Sequence, residues 1–257
     1  MSIEQKTTSI HPTAIIDSNC TMGAAVTVGC YSIIGSNVIL GDNVRIGNHV
    51  VIHEGTVIGS NIRIDDHTVI GKLPMRVATS VLSVSNSLPP CSIGSNCVIG
   101  TSAVLYRGCS IGEACLIADM ATIRENVTVG NNTIIGRGVA IENNSSVGNR
   151  CKLETNVYIT AFSTVEDEVF VAPGVITSND RFAARLKDKE YVFKGVTIKR
   201  GGRIGAQATI LPEVTIHEEG FAAAGSIVTK DVPAKTIHCG NPAKYMKAVP
   251  EDQLLDE

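Results

Sequence analysis

Residues 93–129 read IGSNCVIGTSAVLYRGCSIGEACLIADMATIRENVTV, and an aliphatic residue returns at every sixth position. The series Ile93, Ile99, Leu105, Ile111, Ile117, Ile123, Val129 continues through Ile135, Ile141, Val147, Leu153, Ile159 and Val165 to Val171, fourteen rungs without an exception. A helix repeats near 3.6 residues and a simple strand at 2, so a strict period of six fits neither. It fits a parallel β-helix, all-β, in which short strands turn three corners per coil and each sixth side chain points inward. Three hexads make one coil, so residues eighteen apart stack. That rule converts the sequence into a map of neighbours.

Working outward, an earlier run of rungs occupies Ile10, Ile16, Met22, Val28, Ile34, Leu40, Ile46, Ile52, Ile58, Ile64 and Ile70. Gly23, Gly29, Gly35, Gly41, Gly47 and Gly59 follow their rungs, as expected where a tight corner demands positive φ. From Ile70 to Ile93 the frame breaks, so the Ser- and Pro-bearing residues 71–92 are expected to project as a loop. A second break lies between Val171 and Ile198, with a polar loop expected at 173–195. The last rungs are Ile198, Ile204, Ile210, Ile216, Ala222 and Val228. The expected organisation is a β-helix over residues 1–232, about ten coils, and a C-terminal extension over 233–257. A short helical segment within Pro242–Leu255, broken at Pro250, is expected to cap the open end.

Composition agrees. With 4% aromatic residues and no Trp, an ordinary layered core would be short of bulk, whereas a solenoid fills a narrow interior with one aliphatic side chain per strand. The net charge of −3 argues against a nucleic-acid partner spread over the surface. No apolar stretch approaches a membrane span, and the N-terminus carries no basic region followed by an apolar run, so a cytoplasmic protein is expected. Of eight cysteines, Cys20, Cys97, Cys109, Cys115 and Cys151 occupy the slot that Ala, Ser, Thr or Val fill in other hexads. They read as small core residues, and no spacing resembles a metal site.

Stacking places Arg107, Glu125 and Asn143 in one column, each two residues after its rung and roughly 4.8 Å from the next. Tyr106, Arg124, Glu142 and Thr160 form the adjacent column. A neighbouring corner carries Asp119, Arg137 and Glu154. These polar groups read either as a solvated ladder or as a site on a solvent-facing corner. Acyl transfer to a hydroxyl generally wants a base of near-neutral pKa, and the central run has no His. An amine acceptor, itself a nucleophile when neutral, needs only to be oriented. Tyr31, His49 and His67 share another column, either a ring surface for a nucleotide base or an exposed ladder. Between Arg181 and Arg203, eight basic residues face Asp188 and Glu190, a net of +6, which suits either a solvated face or a polyphosphate ligand.

With these motifs in view, the chain resembles the left-handed β-helix, or hexapeptide-repeat, acyltransferases. The hexads carry the likeness over nearly the whole chain. The ending AAAGSIVTKDVPAKTIHCGNPAKYMK (222–247) resembles the coenzyme A end of the hexapeptide acetyltransferases, and IHPTAIIDSNC (10–20) is similar to the start of lipid A acyltransferases as well. IADMATIRENVTVG (117–130), GRGVAIENN (136–144) and TSND (177–180) look most like the N-acetyltransferases of dTDP- or UDP-linked amino sugars.

The resemblance implies a homotrimer with clefts between subunits, acetyl-CoA or another acyl-CoA as co-substrate, a nucleotide-linked amino sugar as acceptor, and no metal. It implies that Glu125 and Asn143 orient the sugar amine, with Tyr106, Arg107, Asp119, Arg124 and Glu142 around the acceptor. Coenzyme A would run along Lys199, Arg200, Ala206, Ala224, Lys230, Asn241 and Lys244. The competing readings are a lipid A-type O-acyltransferase fed by acyl carrier protein, a γ-type carbonic anhydrase, and a non-catalytic β-helix scaffold. The carbonic anhydrase needs three His on a metal, which the central coils do not offer.

Overall fold

A computed structural model of the chain describes residues 7–75, 87–185 and 192–256. The chain divides into two compact units, Met1–Asn126 and Val127–Glu257, each an all-β solenoid. Among the described residues the first unit holds seventeen strands, from Ser9–Ile10 to Thr122–Ile123, and the second seventeen, from Thr128–Val129 to Ala243–Ala248. Most are two residues long, one side chain turned out and the rung turned in. In the first unit Ser9 pairs with Thr27, Thr27 with Arg45 and Arg45 with Arg63, all parallel and all eighteen apart. In the second, Ala140 pairs with Tyr158 and Lys152 with Phe170 by the same rule. The rungs are the core: Ile34, Ile52, Ile70, Leu105 and Ile123 are buried in one unit, Ile141, Ile159, Val171 and Ile210 in the other.

The glycines after the rungs serve a different purpose from the one expected. Positive φ falls three residues after the rung, on Asn37, Asn43 and Asn61, and even on Tyr31, His49 and His67. Asn tolerates this region best among residues with a Cβ. Gly41 is needed because successive coils approach too closely: a Cβ there would lie 2.7 Å from the carbonyl carbon of Gly59.

Residues 76–86 of the first expected loop and 186–191 of the second lie outside the described residues. The strand Val69–Lys72 runs on past its rung, and its register slips between Ile70 and Lys72, so that Lys72 lies opposite Tyr106. The second loop begins later than expected, because Ile176–Thr177 is a strand and Thr177 pairs with Ile210. Thr177 is a polar rung that the aliphatic pattern misses. Its hydroxyl donates to the Tyr158 carbonyl at 3.1 Å and accepts the Thr160 N–H at 2.8 Å, so its burial leaves nothing unpaired.

The C-terminal extension also differs from expectation. Thr236–Gly240 adds a parallel strand beside Phe221–Ala222 and then pairs antiparallel with Ala243–Ala248. A β-hairpin thus stands where a helical segment was expected, and the only helical turn described there is the 3₁₀ turn Glu251–Gln253. The strand hydrogen bonds available beside Phe221 outweigh the weak helical signal of this Pro-bounded stretch. With Thr177 and this added strand, the turns exceed the ten expected. Cys97, Cys109, Cys115 and Cys151 are buried as expected, whereas Cys20 is only half-buried, near the N-terminal end of the described solenoid.

Candidate functional site

The first unit contains two corners with the same backbone and different chemistry. At one, the residue two after each rung carries a short acceptor that reaches the preceding coil. Asn48 Oδ1 accepts the Cys30 N–H at 3.0 Å, Asp66 Oδ1 the Asn48 N–H at 2.7 Å, and Asp119 Oδ1 the Thr101 N–H at 2.8 Å. The Asn48 N–H holds the Asp66 carboxyl below the usual carboxylate range. Asp119, a candidate for acceptor binding, is therefore engaged as a staple between coils.

The other corner follows Ile52, Ile70, Leu105 and Ile123 and carries His53 and Glu54, Gly71 and Lys72, Tyr106 and Arg107, Arg124 and Glu125. Thr122 and Ile123 pair with Val104 and Leu105, which sets Arg124 beside Tyr106 as the stacking rule requires. Tyr106 is buried, with Lys72 Nζ 5.0 Å from its ring centre and the Arg124 guanidinium carbon 4.9 Å from it. Both contacts are of cation–π type. Arg124 donates from Nε to Glu125 Oε2 at 2.8 Å and from Nη2 to Oε1 at 3.0 Å, a two-point clamp that fixes the carboxylate. Arg107 is spent on backbone, donating to the Leu88 carbonyl at 3.0 Å and the Glu54 carbonyl at 2.9 Å. It ties the far end of the first insertion to this corner.

The solvent-facing placement expected for Glu125 and Asn143 is corrected. Glu125 is 5% exposed and Asn143 8%. Glu125 is drawn inward by its clamp to Arg124, a partner that a column-by-column reading does not pair with it.

Two residues of this corner escape the sequence. His53 lies against Gly71, whose added Cβ would fall 3.1 Å from the His53 Cβ. Burial, with the cations of Lys72 and Arg107, lowers the His53 pKa below the ordinary imidazole value. Lys72 reaches Tyr106 through the register slip. The signal that finds both is the insertion itself, since thirty-five residues separate Ile70 from Leu105 where two coils would give thirty-six.

In the second unit Glu142 is half-buried and Thr160 buried. Lys199 donates to Glu166 at 2.7 Å, and Arg200 Nε donates to Glu168 at 2.7 Å, a carboxylate that Arg150 also contacts at 3.0 Å. Arg181 pairs with Glu213 at 2.9 Å, and Arg203 lies over Phe221 at 5.0 Å. Arg181, Lys199 and Arg200 of the basic stretch are thus laid against carboxylates. Lys187 and Lys189 lie outside the described residues. Ala206 is half-buried, while Ala224, Lys230, Asn241 and Lys244 are exposed. In the first unit the Tyr31, His49 and His67 rings stack as expected, 5.2 and 5.0 Å apart. Among the described residues no cluster of three or more His, Cys, Asp or Glu is placed to hold a metal, and no helix is long and apolar enough to cross a membrane.

Residues 19–54 match the family described as bacterial transferase hexapeptide (six repeats), and residues 37–72 the hexapeptide repeat of succinyl-transferase. Residues 19–72 thus carry hexapeptide-transferase repeats. Residues 81–192 match the family described as GMPPB C-terminal domain. The hexapeptide chain is 33% identical over 89 residues to the galactoside O-acetyltransferase of Escherichia coli, covering 34% of this chain and 44% of that protein. It is 50% identical over 50 residues to the 2,3,4,5-tetrahydropyridine-2,6-dicarboxylate N-acetyltransferase of Staphylococcus aureus, covering 20% and 21%. The chain spans less than half the length of these relatives. Among solved structures, the UDP-N-acetylglucosamine acyltransferase of Arabidopsis aligns over 93% of this chain and 74% of that one, at 20% identity and a TM-score of 0.63. The shared fold is a left-handed parallel β-helix.

Proposed function

We propose that the chain is an acyltransferase that moves an acetyl or other short acyl group from acyl-CoA to the amine of a nucleotide-linked amino sugar, dTDP- or UDP-bound. The observation that carries this reading is the Glu125 carboxylate, buried and clamped by Arg124 at the corner that also holds Tyr106 and Lys72. A clamped carboxylate is an orienting group whose position is set before the acceptor arrives. Asn143 enters the reading on the eighteen-residue period alone, and coenzyme A contacts at Lys199, Arg200 and the final hexads on the resemblance of their sequence. The relatives named as O- and N-acetyltransferases support acyl transfer; the N-linked acceptor rests on Glu125 and Asn143.

The chemistry is direct. The neutral amine nitrogen attacks the thioester carbonyl carbon, the C–S bond breaks, and the departing thiolate takes the amine proton. No strong base is required. Backbone N–H groups of the last coils would polarise the thioester oxygen. The acting species is a homotrimer, expected from the flat sheet faces, and sedimentation as a stable monomer at micromolar concentration would count against it.

A second reading is favoured by His53. An imidazole held neutral at pH 7 can accept the proton of a hydroxyl, which is what O-acyl transfer from acyl carrier protein would need. A panel of nucleotide-linked amino sugars and their hydroxyl counterparts, assayed with acetyl-CoA and with acyl carrier protein, separates the two. Turnover of amines with acetyl-CoA is expected. Turnover of hydroxyl acceptors alone, abolished by His53→Gln, would replace the first reading with the second, and binding of no acyl donor would favour a scaffold.

A further inference from the structure

The cations at the Tyr106 corner are not equivalent. Arg107 donates to two backbone carbonyls, at 3.0 and 2.9 Å. Arg124 is neutralised by the Glu125 carboxylate through two bonds. His53 is driven toward its neutral form by burial and by the two cations near it. That leaves Lys72. Its ammonium rests 5.0 Å from the Tyr106 ring centre, is half-buried, and forms no ion pair among the described residues. The same ring carries Arg124 at 4.9 Å, which in turn holds the Glu125 carboxylate. The other carboxylate of the corner, Glu54, is exposed.

The register slip after Ile70 is what brings Lys72 here. A half-buried ammonium on an aromatic ring, facing a corner whose other positive charges are already satisfied, lacks an anionic partner of its own.

We infer that Lys72 is an anion subsite, which pairs an oxyanion of the acceptor while Glu125 receives the acceptor's amine. The acceptor then carries both an amine and an oxyanion. Two chemistries supply that oxyanion, the diphosphate of a nucleotide-linked sugar or the carboxylate of an amino acid. The role given to Glu125 rests on the proposed function, whereas the role of Lys72 as an anion site does not, and the test separates them.

Titration calorimetry of the full chain with inorganic pyrophosphate and with glutarate measures the subsite without any turnover. Binding of one of them is expected, weakened about tenfold or more by Lys72→Met, the scale of a lost charge-assisted bond, and largely retained by Lys72→Arg. Pyrophosphate as the bound probe assigns the diphosphate source, and glutarate the carboxylate source. Undiminished binding in Lys72→Met, or no binding of either probe at millimolar concentration, overturns the inference. Thermal melting of Lys72→Met close to that of the parent chain shows that the loss is one of charge, and a collapsed melt is answered by Lys72→Gln in the same titration. Should the probes bind through Lys72 while Glu125→Ala keeps full turnover, the anion subsite stands and the amine-orienting reading of Glu125 falls.

Discussion

Two corners of the first unit share strand length, rung type and coil rise, yet one is closed and the other is open to chemistry. At the Asp66 and Asp119 corner each side-chain oxygen is spent on a backbone N–H of the preceding coil. At the Tyr106 corner the Arg107 N–H bonds the Lys72 carbonyl instead, at 2.8 Å, a partner that the slipped strand supplies. There the Arg107 side chain ties to the Leu88 and Glu54 carbonyls, while Arg124 pairs with Glu125 and Lys72 with Tyr106. The lesson is that a slip in an otherwise strict repeat can hand a backbone N–H to a backbone carbonyl and so change what the side chains of that corner do.

The sharpest way to break this contrast is to remove Glu125. Glu125→Ala and Asn143→Ala are each expected to lower turnover by about one to three decades, the range of positioning and proton-transfer groups. Glu125→Ala is also expected to cost about 1–3 kcal/mol of stability, since Arg124 loses its clamp, against about 0.5 kcal/mol for an ordinary surface site. Steady-state kinetics and urea melts read the two effects separately. Loss of stability with turnover intact would make Glu125 a structural residue like those of the stapled corner. Asp119→Ala gives the complement: a cost of about 1 kcal/mol from one lost hydrogen bond, read in the urea midpoint.

Close coil approach predicts the next effect. Gly41→Ala sets a Cβ 2.7 Å from the Gly59 carbonyl carbon, and a cost of about 1–3 kcal/mol is expected, as for overpacking elsewhere. A melt unchanged from the parent would mean that the coils can part at that corner.

A smaller effect is expected at the ion pairs of the second unit. Lys199→Met with Arg200→Met removes two cations that already have carboxylate partners, so acyl-CoA affinity is expected to fall about tenfold if the coenzyme's phosphates share them. The loss would shrink as salt screens the contact. Titration of acyl-CoA at two ionic strengths measures it. Affinity unchanged at low salt would leave Lys199 and Arg200 to Glu166 and Glu168.

The period of six made the solenoid legible from residues 93–171 alone, because a buried rung admits little but aliphatic side chains. Its failures have physical causes. Thr177 is invisible to an aliphatic count since its hydroxyl is satisfied internally. The hairpin after Pro233 follows from the parallel pairing of Thr236–Gly240 with Phe221–Ala222, a contact between coils that no local propensity reports. The column of Tyr106 and Arg124 was legible, and so was the ring ladder of Tyr31, His49 and His67. The burial of Glu125 was not, as it depends on a side-chain clamp within one coil. His53 and Lys72 were hidden by the insertion, which moves them out of the eighteen-residue count while the strands bring them back to the same corner.

His53 supplies the smallest and most specific test of the contrast. Its folded pKa lies below the ordinary imidazole value of about 6.5, so the unfolded chain takes up a proton before the folded chain does. By linkage, stability is complete above that ordinary value and is lost as pH falls through the folded pKa. Lys72 and Arg107 drive the shift in the same direction as burial, while Glu54 is the carboxylate on the same corner that would oppose it. Asp66 and Asp167, whose carboxyls are also lowered, lose their contribution only in the more acid carboxylate range, and His238, lowered by burial, contributes equally to all three chains compared. The urea midpoint is therefore expected to fall between pH 7.5 and 5.5, and to fall less in His53→Gln. Lys72→Met should flatten the same slope in part, because it removes one of the two cations that disfavour the imidazolium. Equal slopes in all three chains would mean that His53 titrates as a free imidazole, leaving it no electrostatic tie to the Tyr106 corner and no ground for the hydroxyl-acceptor reading.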